Sequence, residues 1–246
     1  DLYLADPDFV EIPVTGLLDR NYLDERGRNI SAARSMGRAI PGAPPGPRAD
    51  NRRRAPDDGE QRPVSTSHIS AVDGFGNAVS MTTTIGMPFG SRLMVGGFML
   101  NDQLTDFSPL PMRNGQKIAN RPEPGKRPRS SMSPTIVTDA AGNLVLAVGS
   151  PGGSSIIGYV TKTLIGALDW NMTMQDAISL PNFVNRNRTT ELEKETSLEQ
   201  IAPALRALGH KLVIHPRTSG LHGIRVRPNG LEGGADPRRE GVALGD

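Results

Sequence analysis

Four stretches of the chain space their apolar residues as an amphipathic helix does. They predict helices over residues 14–39, over 154–169, over a short stretch at 174–180, and from Ser197 to Gly209. In the second stretch, one helix face would carry Ile156, Ile157, Val160, Leu164 and Leu168. In the fourth, Ser197 followed by Gln200 fits a capping box, which satisfies backbone N–H groups at the start of a helix. Gly27 argues against a continuous first helix, because glycine is a poor helix former.

Alternating apolar and polar residues predict β-hairpins elsewhere in the chain. Two segments share one pattern, a strand, a turn that begins with Asp and ends with Gly-Asn, and a second strand: "HISAVDGFGNAVSMTTT" and "PTIVTDAAGNLVLAVG". The segment "HGIRVRPNGLEGG" is a weaker third case. Strand pairs followed by helices predict an α+β protein in which helices cover stacked sheets.

The first hairpin predicts a specific register. If its turn comprises residues 73–77, Val72 faces Ala78, and counting outward places Thr66 opposite Thr84. Directly opposed residues of an antiparallel pair have Cβ atoms roughly 4.5 to 5.5 Å apart. The pattern therefore predicts a second hydroxyl within reach of Thr66.

Residues 41–63 differ from the rest of the chain in composition. The stretch "PGAPPGPRADNRRRAPDDGEQRP" has six prolines and almost no apolar side chain. Such a segment buries too little surface to offset the entropy of ordering it, which predicts a disordered linker or tail. The sharpest change in composition along the sequence lies near Thr66.

Composition argues against several classes of protein. Of the 246 residues, 28 are basic and 26 acidic, and the basic excess is local to "RADNRRRAPDD", without the interleaved aromatic residues of a nucleic-acid groove. The absence of cysteine excludes disulfides, thiolate metal sites and a cysteine nucleophile. No run approaches the roughly 18 to 20 apolar residues of a membrane span. The compartment, periplasmic or cytoplasmic, stays open.

Three adjacent hydroxyl residues, Ser65, Thr66 and Ser67, stand where the proline-rich stretch meets the first strand. A threonine hydroxyl is a poor nucleophile unless a base takes its proton. The four histidines are His68, His210, His215 and His222, and the sequence has no G-x-S-x-G nucleophile elbow. His68 would share a strand face with Thr66, which favours a structural role for this histidine over that of a base.

An α-amino group is the other possible base. If the bond between Ser65 and Thr66 is cut, Thr66 becomes a chain start whose amine has a pKa of about 7.7 to 8. That value lies close to operating pH, so nucleophile and base would sit on one residue. The cut can be intramolecular, through attack of the Thr66 hydroxyl on the Ser65 carbonyl and hydrolysis of the ester.

Several motifs, in order along the chain, resemble the small-subunit motifs of the γ-glutamyltranspeptidases: "TSHISAVDGFGNAVSMTTTIGMPFGS", "LNDQLTDFS", "KRPRSSMSPTIV", "GSPGGSSII" and "GGADPRREG". Members of that family are N-terminal nucleophile hydrolases with a four-layer αββα sandwich. "YLADPDFVEIPV" resembles the end of the family's large subunit. The resemblance implies three regions: 1–40 as the end of the large subunit, 41–65 as a tail up to the cleavage site, and 66–246 as the small catalytic subunit.

The resemblance also implies the catalytic residues. Thr66 matches the nucleophile that becomes a new N-terminus, and Thr84 matches the threonine that hydrogen-bonds it and assists self-cleavage. Gly152 and Gly153 match the glycines of the oxyanion hole. Two glycines before a helix can supply unobstructed backbone N–H donors beside the positive end of the helix dipole, which suits a developing oxyanion.

Four further positions match the family's substrate-binding residues. Gln103 and Asp106 match the acceptors that hold the substrate α-amino group, and Ser130 and Ser131 match the hydroxyls that bind its α-carboxylate. Gly86 departs from the family's pattern, which commonly has an asparagine there to help hold the α-amino group. The large-subunit arginine that pairs with the carboxylate would lie outside this chain. Both features predict weaker selectivity for glutamyl groups, because a site that lacks a hydrogen-bonding partner discriminates less sharply against analogues.

The implied protein is a self-processing enzyme that cleaves the γ-glutamyl amide of glutathione or a related compound. It would pass the acyl group to water, an amino acid or a peptide, without a metal or organic cofactor. Its partner would be the large subunit of the same precursor, as a heterodimer. Two alternatives stay open: a family acylase of the cephalosporin-acylase type acting on another amide, and an uncleaved, non-catalytic binding protein.

Overall fold

The structure is a computed structural model, which describes residues 4–46 and 65–245. Within them the chain forms two compact units: a first unit of residues 4–46 and 102–130, and a second unit of residues 65–101 and 131–245. Most of the predicted disordered stretch, 41–63, lies outside the described residues, and 41–46 contain neither helix nor strand. These two units do not test the predicted regions 1–40, 41–65 and 66–246. Cleavage of a precursor between Ser65 and Thr66 stays a prediction.

The described residues contain five α-helices: α1 (Val14–Leu17), α2 (Arg20–Gly27), α3 (Ile156–Leu164), α4 (Met174–Ser179) and α5 (Leu198–Ala207). They also contain thirteen strands: β1 (Thr66–Val72), β2 (Ala78–Thr84), β3 (Met94–Val95), β4 (Phe98–Met99), β5 (Met112–Arg113), β6 (Gln116–Lys117), β7 (Thr135–Thr138), β8 (Leu144–Gly149), β9 (Phe183–Asn185), β10 (Thr190–Glu193), β11 (Leu212–His215), β12 (His222–Arg227) and β13 (Gly230–Ala235). None of the described helices is long and apolar enough to cross a membrane.

In the first unit, the predicted helix over 14–39 is wrong in its extent. The two short helices α1 and α2 occupy only its first half, and the second ends at Gly27. An apolar stripe stabilises a helix only where it is buried. Here Leu18 and Ile30 are 71% and 76% exposed, so the stripe contributes little.

An ion pair ties together the two segments of the first unit. The Asp6 carboxylate accepts hydrogen bonds from the Arg127 backbone N–H at 2.8 Å and from its guanidinium Nη2 at 2.7 Å. These bonds hold the pKa of Asp6 well below its usual range. The Lys126 ammonium lies 5.9 Å from the centre of the Phe9 ring, a cation–π contact between the same segments.

In the second unit, all three predicted hairpins are confirmed. Strands β1 and β2 pair in the predicted register, with Val72 opposite Ala78 and Thr66 opposite Thr84. Strands β7 and β8 form the second hairpin, and β12 and β13 form the third. The turn chemistry therefore fixes the strand pairing, as expected for Asp/Gly-Asn turns.

Two sheets and a helical layer stack in the second unit. The order β13-β12-β8-β7 defines a four-stranded antiparallel sheet, and the β1–β2 hairpin packs on one of its faces. Helices α3 and α4 cover the other face, where the core lies: Leu146, Val148, Ile156, Tyr159, Val160, Ala167, Met174, Ala177, Ile178, Val184 and Leu221. Burial of each larger side chain stabilises the unit by about 1.5–3 kcal/mol.

The helix predictions of this unit need two corrections. Helix α3 ends at Leu164 and continues as a π-helical turn, Ile165–Asp169, which changes the phase of the helix. Leu168, within this turn, is 42% exposed and does not share the buried face with Val160. Ile157, in the first turn of α3, is 55% exposed and also lies outside the buried face. The predicted capping box is also absent: Ser197 precedes α5 with helical backbone angles, and its side chain caps no N–H group.

The face of the β1–β2 hairpin that points away from the four-stranded sheet carries a group of apolar side chains next to the polar pair of Ser67 and Thr83. Ile69, Val79 and Met81 lie on it and are each about half exposed. This is the face on which an αββα sandwich has its second helical layer.

Candidate active site

The Thr66 hydroxyl lies in a short chain of hydrogen bonds at the open end of the first hairpin. Thr66 Oγ1 donates to Thr84 Oγ1 at 3.0 Å, and Thr84 Oγ1 donates to the Ser65 carbonyl at 3.0 Å. Thr84 Oγ1 also accepts from the Gly86 N–H at 2.9 Å. One donated and two accepted bonds use the full capacity of a hydroxyl, so the orientation of Thr84 is determined.

Gly86 holds this arrangement through its backbone. Its φ of 89° lies in the left-handed region, and its carbonyl accepts the Ser65 N–H at 3.1 Å. The bond between Ser65 and Thr66 is thus fixed at Ser65 N, at Ser65 O and at the Thr66 hydroxyl. The predicted pairing of Thr66 with Thr84 is confirmed as geometry.

The arrangement suits acyl transfer at the Ser65 carbonyl. A hydroxyl that donates to a carbonyl oxygen stabilises the negative charge that develops there when a nucleophile attacks the carbon. Thr84 is that donor, and it also accepts the hydrogen bond of the Thr66 hydroxyl. A single side chain therefore contacts both the Thr66 hydroxyl and the carbonyl that precedes it in the chain.

His68 is buried on the same strand face as Thr66, and its two ring nitrogens are engaged elsewhere. Nδ1 lies 2.8 Å from Thr82 Oγ1, and Nε2 lies 3.1 Å from Ser70 Oγ. Burial, and next the neighbouring charge of His222, lower the pKa of His68 to about 4. His68 is therefore neutral near pH 7 and links the strands of the hairpin, which fits the structural role expected from the sequence.

Gly152 and Gly153 lie in the loop between β8 and α3, as expected. Their φ angles are 137° and 55°, which favour glycine, and a Cβ at Gly152 would stand 2.7 Å from the Tyr159 ring. Gly153 opens a 3₁₀ turn, Gly153–Ser155, that leads into α3. The fully buried Ser150 holds the start of the loop, because its Oγ donates to the Pro151 carbonyl at 2.6 Å.

The predicted substrate-binding residues fall in two places. Gln103 and Asp106 share a 3₁₀ turn of the first unit, where Gln103 Nε2 donates to Asp106 Oδ2 at 3.0 Å. Ser130 is the last residue of the first unit, and Ser131 is the first residue of the second segment of the second unit. The Ser131 carbonyl accepts from Ser133 Oγ at 3.1 Å.

Asn120, which sequence reasoning missed, organises the first unit around these residues. Its side chain is almost fully buried; Nδ2 donates to the Asp106 carbonyl at 2.7 Å, and Oδ1 accepts the Arg129 N–H at 3.0 Å. Asn120 thereby connects the turn of Gln103 and Asp106 to the residue before Ser130. An asparagine within "KIANRPEPG" carries no local pattern that predicts this contact.

A cavity of about 420 Å³ borders Thr66 in the second unit. It is lined by β1, by the glycines of β12 and β13, and by residues 239–244. Arg239 is part of this lining, and its Nη1 donates to the Thr66 carbonyl at 3.4 Å. Arg239 lies in the motif "GGADPRREG", and no local pattern predicted a role for it.

The described residues contain no group of three or more histidine, aspartate or glutamate side chains that could hold a metal ion. Within the described residues, the side chains that hydrogen-bond Thr66 include the Thr84 hydroxyl and the Arg239 guanidinium.

Comparison with known proteins adds a family to this geometry. The family described as Gamma-glutamyltranspeptidase matches residues 1–246. A glutathione hydrolase proenzyme of Pseudomonas aeruginosa is 35% identical over 260 residues, which cover 98% of this chain and 42% of the relative. An acylase ACY 1 proenzyme of Pseudomonas sp. strain V22 is 34% identical over 98% of this chain and 40% of its own length. The chain thus spans about two fifths of these relatives.

Among solved structures, a γ-glutamyltranspeptidase from Pseudomonas nitroreducens complexed with L-DON aligns with a TM-score of 0.66 and 36% identity. The alignment covers 73% of this chain and 98% of that one. This likeness confirms the predicted N-terminal nucleophile hydrolase fold.

Proposed function

Since the chain belongs to the γ-glutamyltranspeptidase family, we propose that it is the part of a self-processing γ-glutamyl hydrolase and transferase that carries the nucleophile. The observation that carries this proposal is the chain of hydrogen bonds from Thr66 through Thr84 to the Ser65 carbonyl. It supports both steps of the proposed activity, because self-cleavage and substrate turnover use the same Thr66 hydroxyl.

In self-cleavage, Thr66 Oγ1 attacks the carbonyl carbon of Ser65 while Thr84 donates to the carbonyl oxygen. The C–O bond forms, the amide C–N bond breaks, and the proton of the hydroxyl ends on the nitrogen of Thr66. Water then hydrolyses the ester, which leaves a carboxylate on Ser65 and both a free hydroxyl and a free amine on Thr66. The amine is the base for all later turnovers.

In turnover, the Thr66 amine takes the proton of the Thr66 hydroxyl, which attacks the γ-carbonyl of the substrate. The N–H groups of Gly152 and Gly153 hold the oxyanion, and the leaving amine takes up the proton. Gln103 and Asp106 hold the substrate α-amino group, and Ser130 with Ser131 bind its carboxylate. Water, an amino acid or a peptide then accepts the acyl group, so the reaction needs no cofactor.

The chain's partner in this proposal is the large subunit of the same precursor. Because the chain spans about two fifths of its curated relatives, the remaining part would complete the sandwich over the exposed apolar face of the β1–β2 hairpin.

The test is cleavage of the precursor that contains this chain. We expect its small subunit to begin "TSHIS" by N-terminal sequencing, and Thr66→Ala to abolish both cleavage and turnover. The matched control is Ser67→Ala, which removes a hydroxyl one residue away on the exposed face of β1. A Thr66→Ala precursor that still cleaves itself would refute the assignment of the nucleophile, and persistent continuity of the wild-type chain would favour the non-catalytic alternative.

Gly86 supports a second candidate within the family, an acylase that acts on another amide. This glycine offers no side chain to hold an α-amino group, and a site without a hydrogen-bonding partner discriminates less against analogues that lack one. The processed protein should be assayed on γ-glutamyl-p-nitroanilide and on glutaryl amides. Turnover of glutaryl amides alone would replace the first candidate with the second.

A further inference from the structure

Ser154 directly follows the two glycines of the proposed oxyanion hole, and an arginine distant in sequence holds its side chain. Arg186 Nη1 donates to Ser154 Oγ at 2.8 Å, across 32 residues of sequence. Arg186 follows strand β9, which packs beside α3. The contact therefore joins the oxyanion loop to the outer three-stranded sheet β11-β10-β9.

The guanidinium of Arg186 is itself fixed in place. Its Nη2 donates to Glu191 Oε1 at 3.1 Å. The other oxygen of Glu191 accepts from Arg217 and lies 3.1 Å from His215 Nε2. Glu191 and Arg217 are both at least nine-tenths buried. An ion pair that is buried and shared in this way holds its members in one geometry more firmly than an exposed pair does.

The rest of the loop is held by different means. Ser150 Oγ accepts the Gly220 N–H at 3.3 Å on one side, and the Tyr159 ring lies beneath Gly152. These contacts hold residues that precede Gly153 in the chain, whereas Arg186 holds Ser154, which follows it. The two N–H groups thus lie between anchors on both sides, and an oxyanion hole is effective because its donors need no reorganisation during the reaction.

We propose that Arg186 is a positioning residue for catalysis: through Ser154 it fixes the directions of the Gly152 and Gly153 N–H groups. This inference rests on the proposed function, which assigns those two glycines to the oxyanion hole. Arg186 touches neither substrate nor nucleophile in this proposal. Its effect should appear in the transition state, where the oxyanion exists, and not in substrate binding.

The first measurement needs no activity. In the processed enzyme that contains this chain, Arg186→Met should accelerate amide hydrogen exchange at Gly152, Gly153 and Ser154. The matched control is Arg206→Met, which removes an exposed arginine from the last turn of α5. Unchanged exchange at the three amides in Arg186→Met would overturn the proposal, even if the enzyme proved inactive towards every amide tested.

The second measurement is kinetic. Removal of an oxyanion-hole donor typically costs about 10² to 10³ in kcat, and loosening the donors should cost less. We expect Arg186→Met to lower kcat about tenfold with KM nearly unchanged. Ser154→Ala, which removes the other end of the contact, should act alike, and the double variant should be no worse than either single one.

Arg186→Lys guards against misfolding, because it keeps a cationic donor and should retain an intermediate kcat. Self-cleavage is a further control: the Ser65 carbonyl has Thr84 as its donor, so Arg186→Met should cleave at the wild-type rate. An unchanged kcat, or additive losses from Arg186→Met and Ser154→Ala, would overturn the proposal while leaving the proposed function standing. If the processed wild-type enzyme turned over no γ-glutamyl substrate, that result would count against the proposed function instead.

Discussion

The hairpins β1–β2 and β7–β8 are closed by the same five-residue turn. In the first, Asp73 Oδ1 accepts the Phe75 and Asn77 N–H groups at 2.9 Å each, and Oδ2 accepts the Asn77 side chain at 2.8 Å. In the second, Asp139 makes the corresponding bonds at 2.8, 2.9 and 2.9 Å, to Ala141 and to the backbone and side chain of Asn143. The turns therefore set equivalent first pairs, Val72 with Ala78 and Thr138 with Leu144, although a bulge between Val137 and Thr138 then shifts the second hairpin by one residue. The shared turn cannot account for the difference between the hairpins.

The difference lies in what the strands present to their surroundings. Strand β8 runs through the four-stranded sheet, and its last four residues are buried on both faces. On β1–β2, the face that packs on this sheet carries polar pairs: Thr66 with Thr84, His68 with Thr82, and Ser70 with Ser80. One hairpin thus supplies core, whereas the other places hydroxyls and a histidine between two sheets. Burying polar groups there is tolerated because they bond each other and the backbone.

The largest effect should follow from removing the hydroxyl that distinguishes the open end of the first hairpin. Thr84→Ala removes the donor to the Ser65 carbonyl, and we expect it to slow self-cleavage by about 10² to 10³. Thr84→Ser keeps the hydroxyl and should retain most of the rate. The measurement is the time course of precursor cleavage on a denaturing gel.

Thr138→Ala provides the control from the other hairpin, since Thr138 is an exposed strand threonine beside the second turn. It should leave the cleavage rate unchanged. Equal rates for Thr84→Ala and the wild type would contradict the role of Thr84 and with it the contrast between the two hairpins.

Local patterns predicted the hairpins well. The turn from Asp73 to Asn77 places Thr66 opposite Thr84 because β1 and β2 pair without a bulge, so that counting outward from the turn gives every pair. The same turn does not give the register of the second hairpin, where a bulge at Val137 and Thr138 shifts the pairing by one residue. The alternation of β1 likewise predicted that His68 shares a face with Thr66. Register and face are local properties, and both follow from short segments of sequence.

Contacts between segments far apart in the sequence could not be predicted from local patterns. Arg186 meets Ser154 across 32 residues, and Arg127 meets Asp6 across 121. Neither pair carries a local pattern, because any arginine can pair with many acceptors until the fold brings one of them near. The helix over 14–39 failed for a related reason: its periodicity is present, but burial, which periodicity cannot supply, decides whether a helix extends.

A smaller effect should follow from pH, through the histidine that only the first hairpin places between the sheets. The His68 ring lies against Gly149, where an added Cβ would stand 2.2 Å from Cε1, and it faces Thr82, Ser70 and His222. Its pKa falls from an ordinary 6.5 to about 4. Between these values the unfolded chain binds a proton that the folded chain does not, so stability is complete above pH 6.5 and declines as pH falls towards 4.

The free energy of unfolding should fall by about 2 kcal/mol over this pH range, after allowance for solvent screening. It should be measured as the melting temperature of the processed protein between pH 7.5 and 4.5. His68→Gln can keep hydrogen bonds without titrating, and should flatten the curve over this window. His210→Gln is the control and should leave the slope unchanged. An identical slope in wild type and His68→Gln would show that the histidine between the sheets does not titrate as proposed.

The smallest effects should come from the turns, where the hairpins are alike. Asp73→Ala and Asp139→Ala each remove the same three accepted hydrogen bonds, so we expect similar losses of a few degrees in melting temperature. The pKa of each carboxyl is lowered, chiefly by the side-chain bond from Asn77 or Asn143. Each turn should therefore weaken as pH falls below the ordinary range of aspartate, because the unfolded chain takes up the proton first.

Self-cleavage should separate the two turns even though stability does not. Only the first turn sets the register that brings Thr84 to Thr66, so Asp73→Ala should slow cleavage a few-fold and Asp139→Ala should not. Asp73→Asn keeps one acceptor oxygen and should recover part of the rate, as measured by the same gel assay. If both alanine variants slowed cleavage equally, general stability would explain the effect. The first turn would then have no special connection to Thr66.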